Sequence, residues 1–241
     1  MTLRALIFDV DGTLADTERD GHRLAFNEAF AAAGLPWEWD EQRYDELLQV
    51  TGGKERMRRF AETDDPGFLA RPDVDQRLAD IHAEKTRRYV AMVSSGKVAL
   101  RPGVEALIRE ARTEGLTLAI ATTTTPANVT ALLTATLGAG AEGWFAAIGA
   151  ADSVSAKKPA PDVYQWVLDR LALRAEDCLA FEDSGAGLAA ARGAGIPTIV
   201  TPSDHARHDD FTGALALLPD LSGMTVSRLR KLNDTHLAAH N

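Results

Sequence analysis

The stretch ALIFDVDGTL, residues 5–14, decides the fold expected for this chain of 241 residues. Four apolar residues, typical of a buried β-strand, are followed by Asp9, Asp11 and Gly12. In an open parallel sheet, ligands bind beyond the carboxyl ends of the strands, so Asp9 lies where a site would form. Two carboxylates this close in sequence repel each other unless they share a cation or one is protonated. Taken alone, the pattern also suits an ordinary turn after a strand.

More short apolar segments follow only in the second part of the chain, and helical patterns alternate with them. We expect strands at 116–122, 144–150, 178–183 and 196–200, and helices at 102–114, 126–137, 161–171 and 184–194. Short apolar strands that alternate with helices indicate a parallel sheet with both faces covered. The predicted fold class is therefore α/β, a Rossmann-like parallel sheet with helices on both faces.

Residues 16–94 interrupt this alternation. They contain helical patterns at 17–33, 41–49, 53–62 and 75–94, with no strand pattern between them and a loop predicted at 63–73. The first strand is thus separated from the rest of its sheet by an insertion. We predict two units, an α/β core formed by 1–15 and 95–241 and a helical, four-helix cap domain formed by 16–94.

The composition limits the class of partner. A net charge of −9 argues against nucleic acid and against an anionic membrane surface, because both require a basic face. No apolar run approaches the roughly 18 residues of a membrane span, and the first residues lack the long apolar segment of a signal peptide. The single cysteine, Cys178, suits a reducing compartment. We expect a cytoplasmic monomer whose partner is a small molecule.

Further polar residues follow the other predicted strands. Thr122–Thr125 end one strand, Glu182 and Asp183 end another, and Lys157 and Lys158 precede a predicted helix. Each group also has an ordinary explanation, as strand threonines, a helix cap or solvated lysines. Together they offer hydroxyl groups and a cation for a phosphate, and carboxylate oxygens that suit Mg²⁺. No group of His and Cys in the sequence indicates a zinc site.

The motifs resemble those of a known superfamily. DVDGTL at 9–14, the strand-end Thr122, Lys158 before PAPD, and EDS at 182–184 are similar, in order and spacing, to the four motifs of the haloacid dehalogenase-type phosphohydrolases. The helical insertion resembles the cap of the β-phosphoglucomutase-like group. GGKERM, IHAEKT, AIATTTTPANV and KKPAPDVY resemble the CbbY-type xylulose-1,5-bisphosphate phosphatases. The resemblance covers the whole chain.

This resemblance implies a phosphatase of the Calvin cycle that converts xylulose-1,5-bisphosphate to xylulose-5-phosphate. It implies that Asp9 attacks phosphorus to form an aspartyl-phosphate, and that Asp11 acts as general acid and then as general base. Thr122 and Lys158 would bind phosphate oxygens.

The same resemblance implies a Mg²⁺ site. The metal would be bound by the carboxylate of Asp9, the main-chain carbonyl of Asp11 and the carboxylate of Asp183. Glu182 would order water molecules on the metal.

The cap is expected to supply substrate specificity. Helical periodicity places Lys85 on the apolar face of its helix, with Ile81 and Tyr89, where a lysine needs an anion and the sequence shows no partner. Alternatively, its ammonium extends past the edge of the core into solvent. His22 also lies on an apolar face, as a substrate ligand or as a core-edge histidine with a protein partner. The substrate-binding residues expected are Glu18, His22, Gly52, Gly53, Lys54, Glu55, Arg56, His82, Lys85, Thr122, Thr123, Thr124 and Asn128.

Other functions share these motifs. A phosphosugar mutase uses the same aspartyl-phosphate but passes it to a sugar hydroxyl instead of water. A non-catalytic phosphosugar-binding module is the second alternative, although Asp9 and Asp11 are both present. A dehalogenase is not expected, because that chemistry needs neither the acid at Asp11 nor a metal.

Overall fold

The computed structural model describes residues 3–96 and 98–240, and its centre is a six-stranded parallel sheet. The strands lie in the order β3-β2-β1-β4-β5-β6, and all neighbouring pairs are parallel. The α/β fold class predicted from the apolar segments is confirmed. The bounds of β1 to β6 are Ala5–Phe8, Thr117–Ala121, Phe145–Gly149, Cys178–Glu182, Thr198–Val200 and Ala216–Leu217.

Strand β1 lies at the middle of this sheet. It pairs with β2 on one side and with β4 on the other. Leu6 and Phe8 pack into the hydrophobic cluster on one face of the sheet, and Ala5 and Ile7 pack into the cluster on the opposite face. A strand covered on both faces needs apolar side chains at every position, which explains the unbroken run ALIF.

Helices cover both faces of the sheet. α6, α7 and α10 pack on the face of Leu6, and α8 and α9 pack on the face of Ile7. The four helices expected between the strands are confirmed, and α7 begins at Pro126, a favoured first helical position. The bounds of α6 to α10 are Val104–Thr113, Pro126–Leu137, Asp162–Leu171, Gly185–Gly193 and Val226–His240. No helix in the described ranges is both long and apolar enough to cross a membrane.

The insertion after β1 is helical throughout and has its own hydrophobic cluster, built around aromatic residues such as Trp37 and Trp39. A π-helical turn, Glu18–His22, precedes the first helix. A short helix also occupies part of the predicted loop, because Asp65 caps it and Pro66 starts it. The bounds of α1 to α5 are Arg23–Ala32, Glu41–Leu48, Gly53–Asp64, Pro66–Leu69 and Val74–Ser94.

Helix α5 connects the insertion to the sheet. Leu78 and Ile81 in its first half belong to the cluster of the insertion, whereas Tyr89 and Val93 in its second half pack against the sheet. The chain leaves and re-enters the core side by side, since Ala15 and Leu100 form an antiparallel bridge. The insertion therefore sits above the carboxyl end of β1.

Candidate active site

The polar residues predicted at the strand ends meet at one edge of the sheet. Asp9 follows β1, Thr122 follows β2 and Asp183 follows β4, and all three side chains are buried. The chain runs from β1 to one side of the sheet and later returns to the other side at β4. Such a change of direction opens a crevice at the carboxyl ends of the strands, and these residues line it.

Lys158 reaches this crevice from the loop before α8. Its Nζ lies 2.7 Å from Oδ1 of Asp9 and 2.6 Å from Oε1 of Glu182, and it donates to the carbonyl of Ala121 at 2.9 Å. The hydroxyl of Tyr164 donates to the same oxygen of Glu182. The ammonium therefore fixes the positions of two buried carboxylates and one strand end.

Three carboxylates form a group that could hold a metal ion. Asp9, Glu182 and Asp183 each place an oxygen within 4.8 Å of the others, and all three are buried. Oε2 of Glu182 has no hydrogen-bond partner among the described residues. Lys158 is the cation within this group, so the carboxylates carry excess negative charge. An all-oxygen donor set with excess negative charge fits Mg²⁺.

Gly12 allows this group to assemble. Its φ of +85° lies in the left-handed region, and a Cβ on it would come within 2.2 Å of Oδ2 of Asp183. Any larger residue would therefore push the Asp183 carboxylate out of the group. The glycine after the two aspartates is required by both the turn and the close approach of Asp183.

The pKa values of two carboxyl groups in this group, those of Asp9 and Asp183, are raised. Burial raises the pKa of Asp9 to about 7, with the charge of Lys158 opposing the shift. Burial and the charges of Asp9 and Glu182 raise the pKa of Asp183 well above its ordinary value. A cation bound between these oxygens would reverse both shifts, because it favours the ionised forms.

Asp11 points away from this group and toward the cap. Its Oδ1 accepts hydrogen bonds from the hydroxyl of Thr17 and from Nε2 of His22 at 2.9 Å. Burial would raise the pKa of Asp11, but His22, Thr17 and the charge of Lys85 outweigh it and lower the pKa below its usual range. In this arrangement Asp11 is a carboxylate, the form that a general base requires.

Lys85 has a protein partner that the sequence did not reveal. Its Nζ lies 2.6 Å from Nδ1 of His22, and its side chain is buried against Phe26 and Tyr89. The alternative in which Lys85 extends into solvent is therefore wrong. Because an ammonium can only donate, His22 accepts at Nδ1 and donates to Asp11 through Nε2. A chain of hydrogen bonds thus connects α5 in the cap with Asp11.

A cavity of about 390 Å³ lies between the cap and the core beside Asp11. Core and cap both line it, and it adjoins a second cavity, of about 500 Å³, that contains Asp9, Thr122 and Lys158. The substrate-binding residues expected from the sequence, Thr122 apart, all line the first cavity: Glu18, His22, Gly52, Gly53, Lys54, Glu55, Arg56, His82, Lys85, Thr123, Thr124 and Asn128.

Two basic residues of this cavity, His82 and Lys85, differ in their protonation at neutral pH. Burial and the nearby Lys85 and Lys54 lower the pKa of His82 to about 3, so this histidine is neutral. Burial lowers the pKa of Lys85 to about 8, although Glu18 and Asp11 oppose the shift. Lys85 is therefore mostly charged at neutral pH and can attract an anion.

The sequence did not reveal several residues of the site. Tyr44 donates its hydroxyl to Glu18 and accepts from Arg56 at 2.9 Å. Tyr44 thus orients a carboxylate and a guanidinium that both face the cavity. Tyr164 and Thr17, which hold Glu182 and Asp11, were not singled out either, and their positions carried no distinguishing signal in the sequence.

The core wall of the cavity is a short chain of hydrogen bonds. Oγ1 of Thr122 accepts from the main-chain N–H of Thr124, and the Asn128 amide donates to Oγ1 of Thr124 at 2.9 Å. Oδ1 of Asn128 is buried and has no partner in the described part of the chain. These groups surround the N-terminal end of α7, which favours an anion.

Known proteins resemble this chain in sequence and in structure. Residues 3–195 match the haloacid dehalogenase-like hydrolase family. Protein CbbY of Cupriavidus necator is 56% identical over 219 residues, which cover 91% of this chain and 86% of the relative. The crystal structure of CbbY from Rhodobacter sphaeroides in complex with phosphate has a TM-score of 0.87 and 47% identity, and covers 94% of this chain and 98% of that one.

A second crystal structure of that protein, a mutant in complex with xylulose-1,5-bisphosphate, also has a TM-score of 0.87, with 46% identity and the same coverage of both chains. The resemblance identified from the motifs is confirmed. The family match, which spans the strand-end residues and the cap, shows that the chain belongs to the haloacid dehalogenase-like hydrolases and is a phosphatase enzyme.

Proposed function

We propose that this enzyme is a Mg²⁺-dependent sugar-phosphate phosphatase that converts xylulose-1,5-bisphosphate to xylulose-5-phosphate through an aspartyl-phosphate on Asp9. The observation that carries the proposal is the junction of two cavities. One contains the buried pair of Asp9 and Lys158, and the other is lined by cations of the cap. A related protein that binds xylulose-1,5-bisphosphate in its crystal structure supports the choice of substrate.

In the first step, a carboxylate oxygen of Asp9 forms a bond to phosphorus and the bond from phosphorus to the sugar oxygen breaks. Asp11 gives a proton to that departing oxygen. Lys158 and the hydroxyl of Thr122 stabilise charge on the phosphate oxygens. Lys158 already lies 2.7 Å from Asp9, so it also keeps the nucleophile oriented.

In the second step, water attacks phosphorus, its proton passes to Asp11, and the bond to Asp9 breaks. The base form of Asp11 is the one favoured by Thr17 and His22. To act as the acid in the first step, Asp11 must first be protonated. The negative charge of a bound phosphate beside it raises its pKa and so favours that proton.

Asp9, Asp183 and the main-chain carbonyl of Asp11 would hold Mg²⁺, and Glu182 would order its water molecules. When bound, Mg²⁺ neutralises charge between the anionic nucleophile and the anionic phosphate. The raised pKa values of Asp9 and Asp183 support this site, since both carboxylates lack sufficient positive charge without a metal.

A bisphosphate needs a second anion site, and we place it in the cap cavity. Lys54, Arg56 and Lys85 line that cavity from the cap, and the start of α7 with Asn128 lines it from the core. We further propose the division into a core of 1–15 and 95–241 and a cap of 16–94, and a monomer in the cytoplasm. Closure of the cap over the distal phosphate would exclude water from Asp9 and Asp11 during the first step.

The main test is phosphate release from a panel of pentose and hexose monophosphates and bisphosphates, with Mg²⁺ and with EDTA. We expect the highest kcat/KM for xylulose-1,5-bisphosphate, and no release in EDTA. Preference for a monophosphate would contradict the substrate but leave the phosphatase assignment. Conversion to an isomeric sugar phosphate without release of phosphate would identify a mutase.

A variant of Lys85 tests the second anion site. Lys85→Met should lower kcat/KM for xylulose-1,5-bisphosphate more than for p-nitrophenyl phosphate, by a further 2 kcal/mol or so, a factor of about 30. Thr17→Val is the matched control, because it removes a hydrogen bond to Asp11 but leaves the contact between Lys85 and His22 in place. In that variant both substrates should lose about the same factor. An equal loss for both substrates in Lys85→Met would contradict the second anion site.

A further inference from the structure

Arg101 lies in the segment where the chain re-enters the core, and its guanidinium is largely shielded from solvent. Its main-chain N–H donates to the carbonyl of Leu14 at 2.8 Å, beside the bridge between Ala15 and Leu100. Its side chain is only 9% exposed. Arginines are rarely buried unless their donors are satisfied, so the partners of this guanidinium indicate what it does.

The partners are main-chain carbonyls from segments far apart in sequence. Nη1 donates to the carbonyl of Gly12 and, at 2.7 Å, to that of Thr201, and Nη2 donates to the carbonyl of Pro202 at 3.1 Å. The guanidinium is planar and holds its donors in a fixed fork, so these contacts fix the spacing of the segments they join. Arg101 thus connects the turn after Asp11 with the loop after β5.

Asp183 lies between these two segments. Its Oδ2 packs so closely on Gly12 that a Cβ there would be 2.2 Å away, and the same Cβ would lie 3.2 Å from Cβ of Ser203. Ser203 comes directly after Thr201 and Pro202 in the chain. The main-chain carbonyls of those two residues accept hydrogen bonds from Arg101. The Asp183 carboxylate is therefore seated between two segments whose separation is set by Arg101.

We infer that Arg101 is a positioning residue for the metal site, which holds the Gly12 turn and the loop of Ser203 together and so fixes Asp183 beside Asp9. This inference rests on the proposed function, since it takes Asp183 as a Mg²⁺ ligand. Residues that orient metal ligands typically change metal affinity or activity by about 10–100-fold when replaced.

The ion pair between Arg101 and Asp16 does not hold the Gly12 turn and the loop of Ser203 together. Nε lies 3.4 Å from Oδ1 of Asp16, whose side chain is 70% exposed. Exposed ion pairs contribute little to stability, so the carbonyl contacts are the stronger part of the arrangement. Asp16→Asn removes the pair alone and leaves the carbonyl contacts intact.

The experiment measures Mg²⁺ binding without turnover, from the rise in unfolding temperature of chelator-treated protein as Mg²⁺ is added. We expect Arg101→Gln to weaken Mg²⁺ binding by about 10–100-fold and Arg101→Lys to weaken it less, but by more than about fivefold. Asp16→Asn and Arg228→Gln should remain within about twofold of wild type. Arg228 is the matched control, because it binds the carbonyl of Gly223 at 2.8 Å on the exposed surface of α10.

A second readout separates positioning from general support of the fold. Higher Mg²⁺ concentrations should restore turnover in Arg101→Lys at a temperature where circular dichroism shows the chelator-treated variant fully folded, so that stabilisation of the fold by Mg²⁺ does not account for the recovery. Mg²⁺ binding within about fivefold of wild type in both folded Arg101 variants would overturn the inference. Loss of folding in both variants, judged by circular dichroism, would also overturn it, because Arg101 would then support the whole core. A wild-type protein that binds no Mg²⁺ would instead overturn the proposed metal site and, with it, this inference.

Discussion

Replacing Lys158 by methionine should destabilise the protein as well as stop its reaction, and the contacts of the ammonium determine the size of the effect. Nζ lies 2.7 Å from Asp9 and 2.6 Å from Glu182, and the side chain is 4% exposed. Methionine retains most of the packing but leaves two buried carboxylates without their cation. Breaking a buried pair in this way costs about 3–5 kcal/mol, which is the expected loss in free energy of unfolding near pH 8.

The loss should shrink as the pH falls. Burial raises the pKa of Asp9 to about 7 even with Lys158 present, and removing Lys158 would raise it further. A carboxyl group with a raised pKa in the folded protein destabilises it progressively as pH rises from the unfolded value of 3.8 toward the folded value. At about pH 5 Asp9 is protonated in the folded variant, so less stability is lost there than at about pH 8.

Urea denaturation followed by circular dichroism measures both effects, in EDTA so that no bound metal takes over the role of Lys158. The control is Lys157→Met, since Lys157 donates to the carbonyls of Ala151 and Val154 and has no carboxylate partner among the described residues. That variant should lose less stability than Lys158→Met, because it leaves no buried carboxylate without a cation. A loss in Lys158→Met no larger than in the control, or one independent of pH, would refute the reasoning.

Other predictions concern the reaction itself. Asp9→Asn should abolish turnover and leave the fold intact, because the amide keeps the shape but is a poor nucleophile; phosphate release within about tenfold of wild type would contradict this role. Asp11→Asn should lower turnover by about 10²–10⁴-fold, and a loss under about tenfold would place the acid and base elsewhere. EDTA should abolish phosphate release and Mg²⁺ should restore it, whereas full activity after exhaustive chelation would argue against a metal held by Asp9 and Asp183. The KM for xylulose-1,5-bisphosphate should rise as the pH is raised through about 8, because Lys85 loses its charge there. The same KM on both sides of that pH would exclude Lys85 from phosphate binding.

Local patterns were sufficient to predict the sheet and the helices that cover it. The run ALIF has apolar side chains for both faces of a central strand, and Pro126 marks the start of a helix, so each element carried its own signal. The two-residue strand β6 lacked such a signal, because it is defined only by its pairing with β5. The short helix α4 did carry one, in Asp65 and Pro66, which act as cap and first residue.

The site was predictable where residues follow strand ends and much less so where the cap folds over the core. Asp9, Thr122 and Asp183 meet because parallel strands end at one edge of the sheet. The contact of Tyr44 with Glu18 depends instead on how α2 packs against the π-helical turn, and no local pattern encodes it. The bond from Lys85 to His22 likewise joins α5 to the π-helical turn, although helical phase correctly predicted that both side chains face inward.

The central place of β1 has a consequence for the order of folding during synthesis. β1 leaves the ribosome before its partners β2 and β4, which lie roughly 110 and 170 residues further along the chain. At about 5–20 residues per second, β1 waits about 10 seconds or longer for β4. The hydrophobic cluster of the insertion, in contrast, draws only on residues between Phe26 and Ile81 and can close earlier. Because the two ends of the insertion run side by side at Ala15 and Leu100, its folding shortens the loop that β1 must close on β2 to about 20 residues. Folding of the cap therefore favours the pairing of β1 with β2 in the growing chain, a role that is separate from substrate binding.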